Sequence, residues 1–157
     1  MQKITPFLWF DTQAEEAAKF YTSVFKNSKI TNTNYYGDGG PMAKGTALTV
    51  SFELDGLEFT ALNAGPVFKF TEAVSFYIHC KDQQEIDYYW DKLIEGGQHS
   101  QCGWLKDKYG LSWQVVPEQL GKMLSDKDHA KAQRAMNAMM KMVKLDLPAL
   151  QKAFDGQ

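Results

Sequence analysis

The chain has 157 residues, with 17 Lys and Arg against 19 Asp and Glu, and its formal net charge is −2. This near balance provides no broad positive field for phosphate backbones, so nucleic acid is not an expected partner. No stretch approaches the roughly 18 apolar residues of a membrane span, and the first residues lack a signal peptide's apolar run. We therefore expect a cytoplasmic protein with no membrane partner. Its two cysteines, Cys80 and Cys102, are expected to be reduced, with a disulfide between them as the alternative.

The first predicted elements are a short strand and an amphipathic helix. Residues 4–10 form a short apolar run. Thr12 and Glu15 then have the spacing of a capping box, which is typical of a helix start. One helical face carries apolar residues at the expected spacing, namely Ala14, Ala17, Ala18, Tyr21 and Phe25.

Three strands are predicted after this helix. Residues 29–36 and 46–54 are rich in β-branched, aromatic and apolar side chains. Residues 57–63 follow across Asp55-Gly56, a dipeptide that favours a tight hairpin.

The second half of the chain repeats this order. Residues 74–80 form another apolar run, and Asp82 and Glu85 repeat the capping pattern. The apolar positions of the two helices superimpose at an offset of 69 residues, with Ala17 on Ile86, Phe20 on Tyr89, Tyr21 on Trp90, Val24 on Leu93 and Phe25 on Ile94. Strands are predicted at 98–105 and 112–117. The chain is therefore predicted to be a tandem duplication.

We expect a single domain over residues 1–157, with a first module at 1–66, a second, shorter module at 73–117 and a helical tail at 118–157. Within the tail, Asp146 is predicted to cap a helix that has Pro148 in its first turn. Four methionines cluster in the tail, namely Met136, Met139, Met140 and Met142. They favour either an adaptable binding face or packing on the body of the protein or on a second subunit.

Familiar catalytic motifs are absent from the sequence: there is no P-loop, nucleophile elbow or zinc-finger spacing. His79 is predicted to lie in a strand, as a catalytic base or as a hydrogen-bonded strand histidine. His99 is predicted in a loop and His129 at a solvated helix start.

The densest group of polar and aromatic residues is 101–114. It contains two tryptophans and a tyrosine together with amides and a thiol. The pattern favours equally a semi-polar pocket wall and a hairpin whose aromatics complete the core. Cys102, close to Lys106, is either a reactive thiol or an inert structural one.

Four segments carry a family resemblance, namely 62–66, 76–80, 101–107 and 112–117. They closely resemble PhnB-like proteins, many of which are catalogued as 3-demethylubiquinone-9 3-methyltransferase-like, in the glyoxalase/bleomycin resistance/dioxygenase (vicinal oxygen chelate) superfamily. The resemblance extends over nearly the whole chain, including the tail. It implies an α+β fold of tandem βαβββ modules, whose eight strands form one curled mixed sheet around a cavity, with a C-terminal helical tail and assembly as a homodimer.

The same resemblance bears on metal binding. Metal-dependent members place ligands on the first and last strands of each module, and counting from the helices puts Pro6, Phe76 and Gln114 at three of these places. The fourth falls between Glu58 and Asn63. Pro and Phe side chains cannot bind a metal and Gln is a weak ligand, so we expect neither a metal nor another cofactor. His79 is predicted to point to the face opposite Phe76.

Three functions remain open at this point. The first is a small-molecule-binding protein whose cavity is lined by Phe76, Trp104, Trp113, Gln114 and Asn63. The second is a metal-independent enzyme that uses Cys102, Asp107 or Tyr109 in acid–base or nucleophilic chemistry. The third is a metal-dependent lyase or dioxygenase. The methyltransferase label is not supported, because the first strand–helix turn at 10–13 lacks the glycine of a nucleotide-type methyl-donor site.

Overall fold

The computed structural model describes all 157 residues, which form eight strands and five helices. The chain divides into two compact units, residues 1–70 and 71–157. Each unit contains a strand, a helix and three further strands in that order, so the predicted α+β class and repeat are confirmed. The strands form two four-stranded mixed sheets instead of one continuous eight-stranded sheet. None of the helices combines the length and apolar character that a membrane crossing requires.

The first unit is built from β1 (Phe7–Phe10), α1 (Ala14–Val24), β2 (Lys29–Tyr35), β3 (Ala47–Leu54) and β4 (Leu57–Asn63). Its strands lie in the order β1-β4-β3-β2, with β1 parallel to β4 and the other pairs antiparallel. The alternation of side chains places a buried apolar set on one face, including Leu8, Phe10, Val50, Phe52, Phe59 and Ala61. α1 packs on β3 and β4 of this sheet.

The predicted capping box at Thr12 is wrong. Gln13 occupies the N-cap position of α1, and its side chain makes no capping hydrogen bond. Instead the Oδ1 atom of Asn63, at the end of β4, accepts a hydrogen bond of 2.8 Å from the backbone N–H of Ala14. The Nδ2 atom of Asn63 donates to the carbonyl of Ala47 at 3.0 Å. A strand residue therefore caps the helix that packs on its own sheet.

The second unit begins with β5 (Ser75–Cys80), α2 (Gln83–Ile94), β6 (Gln98–His99), β7 (Trp104–Lys106) and β8 (Ser112–Pro117). The strand order is β5-β8-β7-β6, which repeats the order of the first sheet. The predicted cap at Asp82 is confirmed, since its carboxylate accepts a hydrogen bond from the Glu85 N–H at 2.9 Å. α2 buries one apolar side made of Ile86, Trp90 and Leu93.

The strand predicted at 98–105 is broken into β6 and β7. Between them Cys102 and Gly103 adopt positive φ angles of 56° and 84°, which a strand cannot accommodate. Their backbone N–H groups donate to the carbonyls of Met142 and Val143 at 2.9 and 2.8 Å. The break therefore satisfies backbone groups of the tail.

The tail contains α3 (Glu118–Leu124), α4 (His129–Met139) and α5 (Leu147–Asp155). The predicted cap of α5 by Asp146, with Pro148 in the first turn, is confirmed. The tail packs around a buried apolar cluster made of Val116, Leu120, Met123, Ala135, Leu145 and Leu150. Met139 and Met142 lie against this cluster, whereas Met140 is exposed. Two of the four methionines thus pack on a cluster that the tail itself largely forms.

Candidate functional site

The second sheet has one covered face and one open face. The covered face carries buried apolar side chains, including Ile78, Cys80, Leu105, Trp113 and Val115, and α2 packs on this sheet. Neighbouring residues in a strand point to opposite sides, so the residues between these positions form the open face. We describe the open face as the candidate site.

Two registered rows of side chains cross the open face. In the first row, Gln98 on β6 is paired with Lys106 on β7, which is paired with Ser112 on β8, which is paired with Ser75 on β5. In the second row, Trp104 is paired with Gln114, which is paired with Tyr77. The rows are linked because Gln114 Nε2 donates to Ser75 Oγ at 3.0 Å. The open face is thus polar, with two aromatic side chains.

A depression of about 150 Å³ lies along the first row and is lined by Glu72, Gln98, His99, Ser100, Trp104, Leu105, Lys106 and Ser112. The ammonium group of Lys106 forms an ion pair with the carboxylate of Glu72. Their hydrogen bond lowers the pKa of Glu72 below its ordinary value, so this carboxyl is ionised at neutral pH.

Ser112 is the most deeply buried polar group of the depression. It is 1% exposed, and its hydroxyl oxygen has no hydrogen-bond partner. Buried hydroxyl groups in native proteins nearly always have a partner. The protein therefore leaves the hydrogen-bonding capacity of this hydroxyl unused.

The structure separates the residues that the sequence placed in one cavity. Trp104 and Gln114 lie side by side on the open face and are half-buried. Phe76 and Trp113 lie on the covered face, where their ring centroids are 5.6 Å apart. Adjacent strand residues such as Trp113 and Gln114 cannot line the same face.

Asn63, the remaining predicted ligand-binding residue, belongs to the first unit and is 2% exposed. Both ends of its amide bind the backbone groups described above. Its side chain therefore has a structural task, and we leave it out of the proposed site.

Asp107 holds the turn between β7 and β8. Its Oδ1 atom accepts hydrogen bonds from the backbone N–H groups of Tyr109 and Leu111, at 2.9 and 3.1 Å. Its Oδ2 atom accepts from Trp113 Nε1 at 2.9 Å. The carboxylate is 3% exposed and is engaged by three donors, so its geometry is that of a turn-stabilising residue.

The other two catalytic candidates have surroundings of their own. The Tyr109 ring lies 5.5 Å beneath the Lys108 ammonium group. The Cys102 thiol lies 3.9 Å from the Met140 thioether, at the point where the tail docks. The segment 101–104 thus anchors the tail through its backbone.

The histidines lie in three different places. His79 is exposed and contacts the Tyr77 ring, with 4.7 Å between ring centroids. His79 does point away from the Phe76 side of β5, as predicted, but this is the side on which Gln114 lies. His99 lines the depression, and His129 begins α4.

Sequence reasoning did not single out Ser112, His99 or Glu72, and it noted Lys106 only as a neighbour of Cys102. Alternation from Trp104 would have placed Lys106 on the same face. The pairing of Ser112 with Lys106 depends on the length of the turn between them, which the sequence alone does not fix.

Of the three strand positions assigned to metal ligands, Gln114 lies on the open face, whereas Pro6 and Phe76 are one residue away from that parity. Pro6 has the parity of Leu8 and Phe10, and Phe76 has that of Ile78, so both belong to covered faces. The equivalent open-face residues are Phe7 and Tyr77. Phe7 has no donor atom, and burial raises the pKa of Tyr77, which disfavours a phenolate ligand. No group of three or more His, Cys, Asp or Glu side chains is arranged so that it could hold a metal ion. These residues do not fit a catalytic divalent ion.

The fold itself is shared with known structures. It is similar to PA1353 from Pseudomonas aeruginosa, at 18% identity and a TM-score of 0.63, covering 75% of this chain and 98% of that one. It is also similar to the genomically encoded fosfomycin resistance protein FosX from Listeria monocytogenes, at 13% identity and a TM-score of 0.54, covering 80% and 98%. At these identities the two likenesses show a shared fold.

A narrower assignment follows from sequence. The profile of the 3-demethylubiquinone-9 3-methyltransferase family matches residues 2–116, and the chain belongs to this family. The PhnB protein from Bacillus cereus is 40% identical, with a TM-score of 0.69 and coverage of 74% of this chain and 99% of that one. No curated protein matches the chain. The family profile ends within β8, so it does not include the tail, in contrast to the broader resemblance that was expected.

Proposed function

We propose that this protein binds a small, ring-bearing organic molecule on the open face of its second sheet. The observation that carries the proposal is the cross-strand pair of Trp104 and Gln114. Both side chains are half-buried, and both lie on the open face of the sheet, opposite the face that α2 covers. An indole offers a flat apolar surface for a ring, and a neighbouring amide offers a donor and an acceptor for its polar edge. Sites for small molecules commonly combine these two kinds of contact.

Binding is favoured over the alternative of metal-independent catalysis by the state of the candidate groups. The Asp107 carboxylate is already engaged by three donors, and the Cys102 thiol lies against Met140. A general base must come within hydrogen-bond reach of the proton that it removes, whereas the Asp107 carboxylate is only 3% exposed. We therefore propose a binding or sequestering role, without methyl transfer and without a divalent ion.

The first test uses the purified wild-type protein. Native mass spectrometry would identify any molecule that copurifies, and ligand-observed NMR with a set of single-ring aromatic compounds would identify binders independently. We expect the binders to shift the indole N–H resonance of Trp104.

Variants then locate the site. Trp104→Ala should weaken binding of the strongest ring compound about tenfold, which corresponds to about 1.4 kcal/mol. Tyr35→Ala is the matched control, because it removes an exposed aromatic from β2 of the first unit. Cys102→Ser should leave binding unchanged. Unaltered affinity in a folded Trp104→Ala protein would contradict the proposed site, and turnover that is lost with Cys102→Ser would establish the enzyme alternative.

A further inference from the structure

The buried hydroxyl of Ser112 needs a partner that the protein does not supply. Ser112 is 1% exposed, and its cross-strand neighbours on the open face are Lys106 on one side and Ser75 on the other. The Ser75 hydroxyl already accepts a hydrogen bond from Gln114. An alanine would fill this position without leaving a polar atom unbonded, so the presence of an unpaired hydroxyl points to a bound group.

Lys106 is placed to bind the same group. It is paired directly with Ser112 across β7 and β8, and both residues line the depression of about 150 Å³. An ammonium group and a hydroxyl can both donate, and an anionic oxygen group accepts both. Since one water molecule occupies about 30 Å³ in the liquid, the depression has room for a carboxylate or a phosphate.

The carboxylate of Glu72 already binds Lys106 in the way that we expect of an anionic ligand. Its carboxylate contacts Lys106 from the exposed segment that precedes β5, and its side chain is 62% exposed. An ion pair with an exposed partner contributes little stability, so a competing anion can displace it. Trp104 lies two residues before Lys106 on the same face, close enough for one molecule to reach both.

We infer that Lys106 and Ser112 form a subsite for an anionic oxygen group of the bound molecule, and that Glu72 occupies Lys106 while the subsite is empty. This inference rests on the proposed function, because the ring of the same molecule lies on Trp104. It narrows the ligand class to ring compounds that carry a carboxylate or phosphate.

The test compares three probes that share one ring: benzoate, phenyl phosphate and the uncharged benzamide. Each is titrated at millimolar concentrations into the full chain, and binding is followed by the NMR signals of Trp104. Wild-type protein should bind at least one of the two anions more tightly than benzamide. The tighter anion identifies the group that the subsite prefers.

Three variants assign the residues. Glu72→Gln should raise affinity for the anion up to about fivefold, because it removes the competing carboxylate, and it should leave benzamide unchanged. Lys106→Met should abolish the preference for the anion. Ser112→Ala should weaken anion binding several-fold, and circular dichroism would establish that each variant is folded. Glu53→Gln, which removes an ion-paired carboxylate of the first unit, is the matched control for Glu72→Gln.

The outcomes separate the two proposals. If benzamide and the anions bind equally at Trp104, the anion subsite is overturned while ring binding stands. If Ser112→Ala leaves anion affinity unchanged, the hydroxyl has no part in recognition and the subsite as described is overturned. If none of the probes perturbs Trp104 even in Glu72→Gln, both proposals fail.

Discussion

The side-chain oxygen of Asn63 lies 2.8 Å from the backbone nitrogen of Ala14 and accepts its hydrogen. The two residues are 49 positions apart, at the end of β4 and the start of α1. One buried amide thus joins the last strand of the first unit to its helix, and through the Ala47 carbonyl to a neighbouring strand as well.

Replacing Asn63 should therefore destabilise the first unit strongly. Asn63→Leu would leave the Ala14 N–H and the Ala47 carbonyl buried without partners, and each such group costs about 1–3 kcal/mol. We expect the free energy of unfolding in urea to fall by at least about 2 kcal/mol. Asn32→Ala, on the exposed side of β2, is the control and should change stability little. A stable Asn63→Leu protein would show that the amide is available for another task.

Gly103 should tolerate no side chain. A Cβ atom there would lie 2.9 Å from the Val115 carbonyl oxygen and 3.0 Å from Leu145 Cδ1, in addition to the strain of a positive φ. Gly110 has a similar φ of 86° but open space around the same position, so Gly110→Ala measures the backbone strain alone.

We expect Gly110→Ala to cost about 1 kcal/mol and Gly103→Ala clearly more, with loss of tail packing. Thermal melts together with proteolysis of the tail would measure both effects. Equal losses for the two variants would contradict the close approach of the tail to residue 103.

Much of the fold could be predicted from periodicity and repeats, but the contacts between distant residues could not. The duplication and the caps at Asp82 and Asp146 depend on neighbouring residues, so the sequence contains their signals. The prediction of the α1 cap failed because Asn63, at the far end of the unit, accepts the hydrogen bond instead. The break at Cys102 and Gly103 likewise depends on tail carbonyls.

The candidate site was predicted only in part for a related reason. Alternation determines which residues share a face, but it does not reveal which face a helix covers. The structure brings Trp104 and Gln114 to one face, whereas Trp113 and Phe76 lie on the side that α2 covers, which the sequence alone does not identify.

Cys80 should behave as a protected thiol. Burial, assisted by the nearby Glu85 carboxylate, raises its pKa from 9.0 to about 12. The folded state therefore holds this proton more tightly than the unfolded chain does. Its contribution to stability is complete below pH 9 and declines as the pH rises toward 12.

Urea unfolding between pH 8 and 10.5 should show this decline in the wild type and a smaller one in Cys80→Ala, with tyrosine ionisation common to both. With a thiol reagent at pH 8, the folded protein should expose Cys102 and react at Cys80 only after denaturation. Rapid labelling of both thiols in the folded state would contradict the burial of Cys80.

Dialysed protein should contain well under one nickel, zinc, manganese or iron ion per chain. The strand positions equivalent to the metal-ligand positions of metal-dependent proteins carry Phe7, Tyr77 and Gln114. These three residues supply no charged ligand at neutral pH. Elemental analysis measures the content, and EDTA should change neither the melting temperature nor probe binding. Stoichiometric metal that chelator removes together with binding would show that another set of ligands assembles.

We further expect the homodimer that the family resemblance implied. The first unit leaves Phe7, Val67 and Phe68 exposed, and apolar side chains of this size on a surface favour burial against a partner. Light scattering at micromolar concentration should give twice the chain mass of 17.8 kDa. A wild-type mass of one chain, equal to that of the Phe68→Ser variant, would exclude the dimer.

The hydrogen bonds from Cys102 and Gly103 to Met142 and Val143 also set an order of events during synthesis. The first unit is synthesised before the second, and it contains all four strands of its own sheet. In the second unit β7 and β8 can pair early, but the left-handed turn before β7 gains its carbonyl partners only when the tail emerges. The two halves of the duplication therefore differ in what completes their hydrogen bonds: the second needs a segment that has no counterpart in the first.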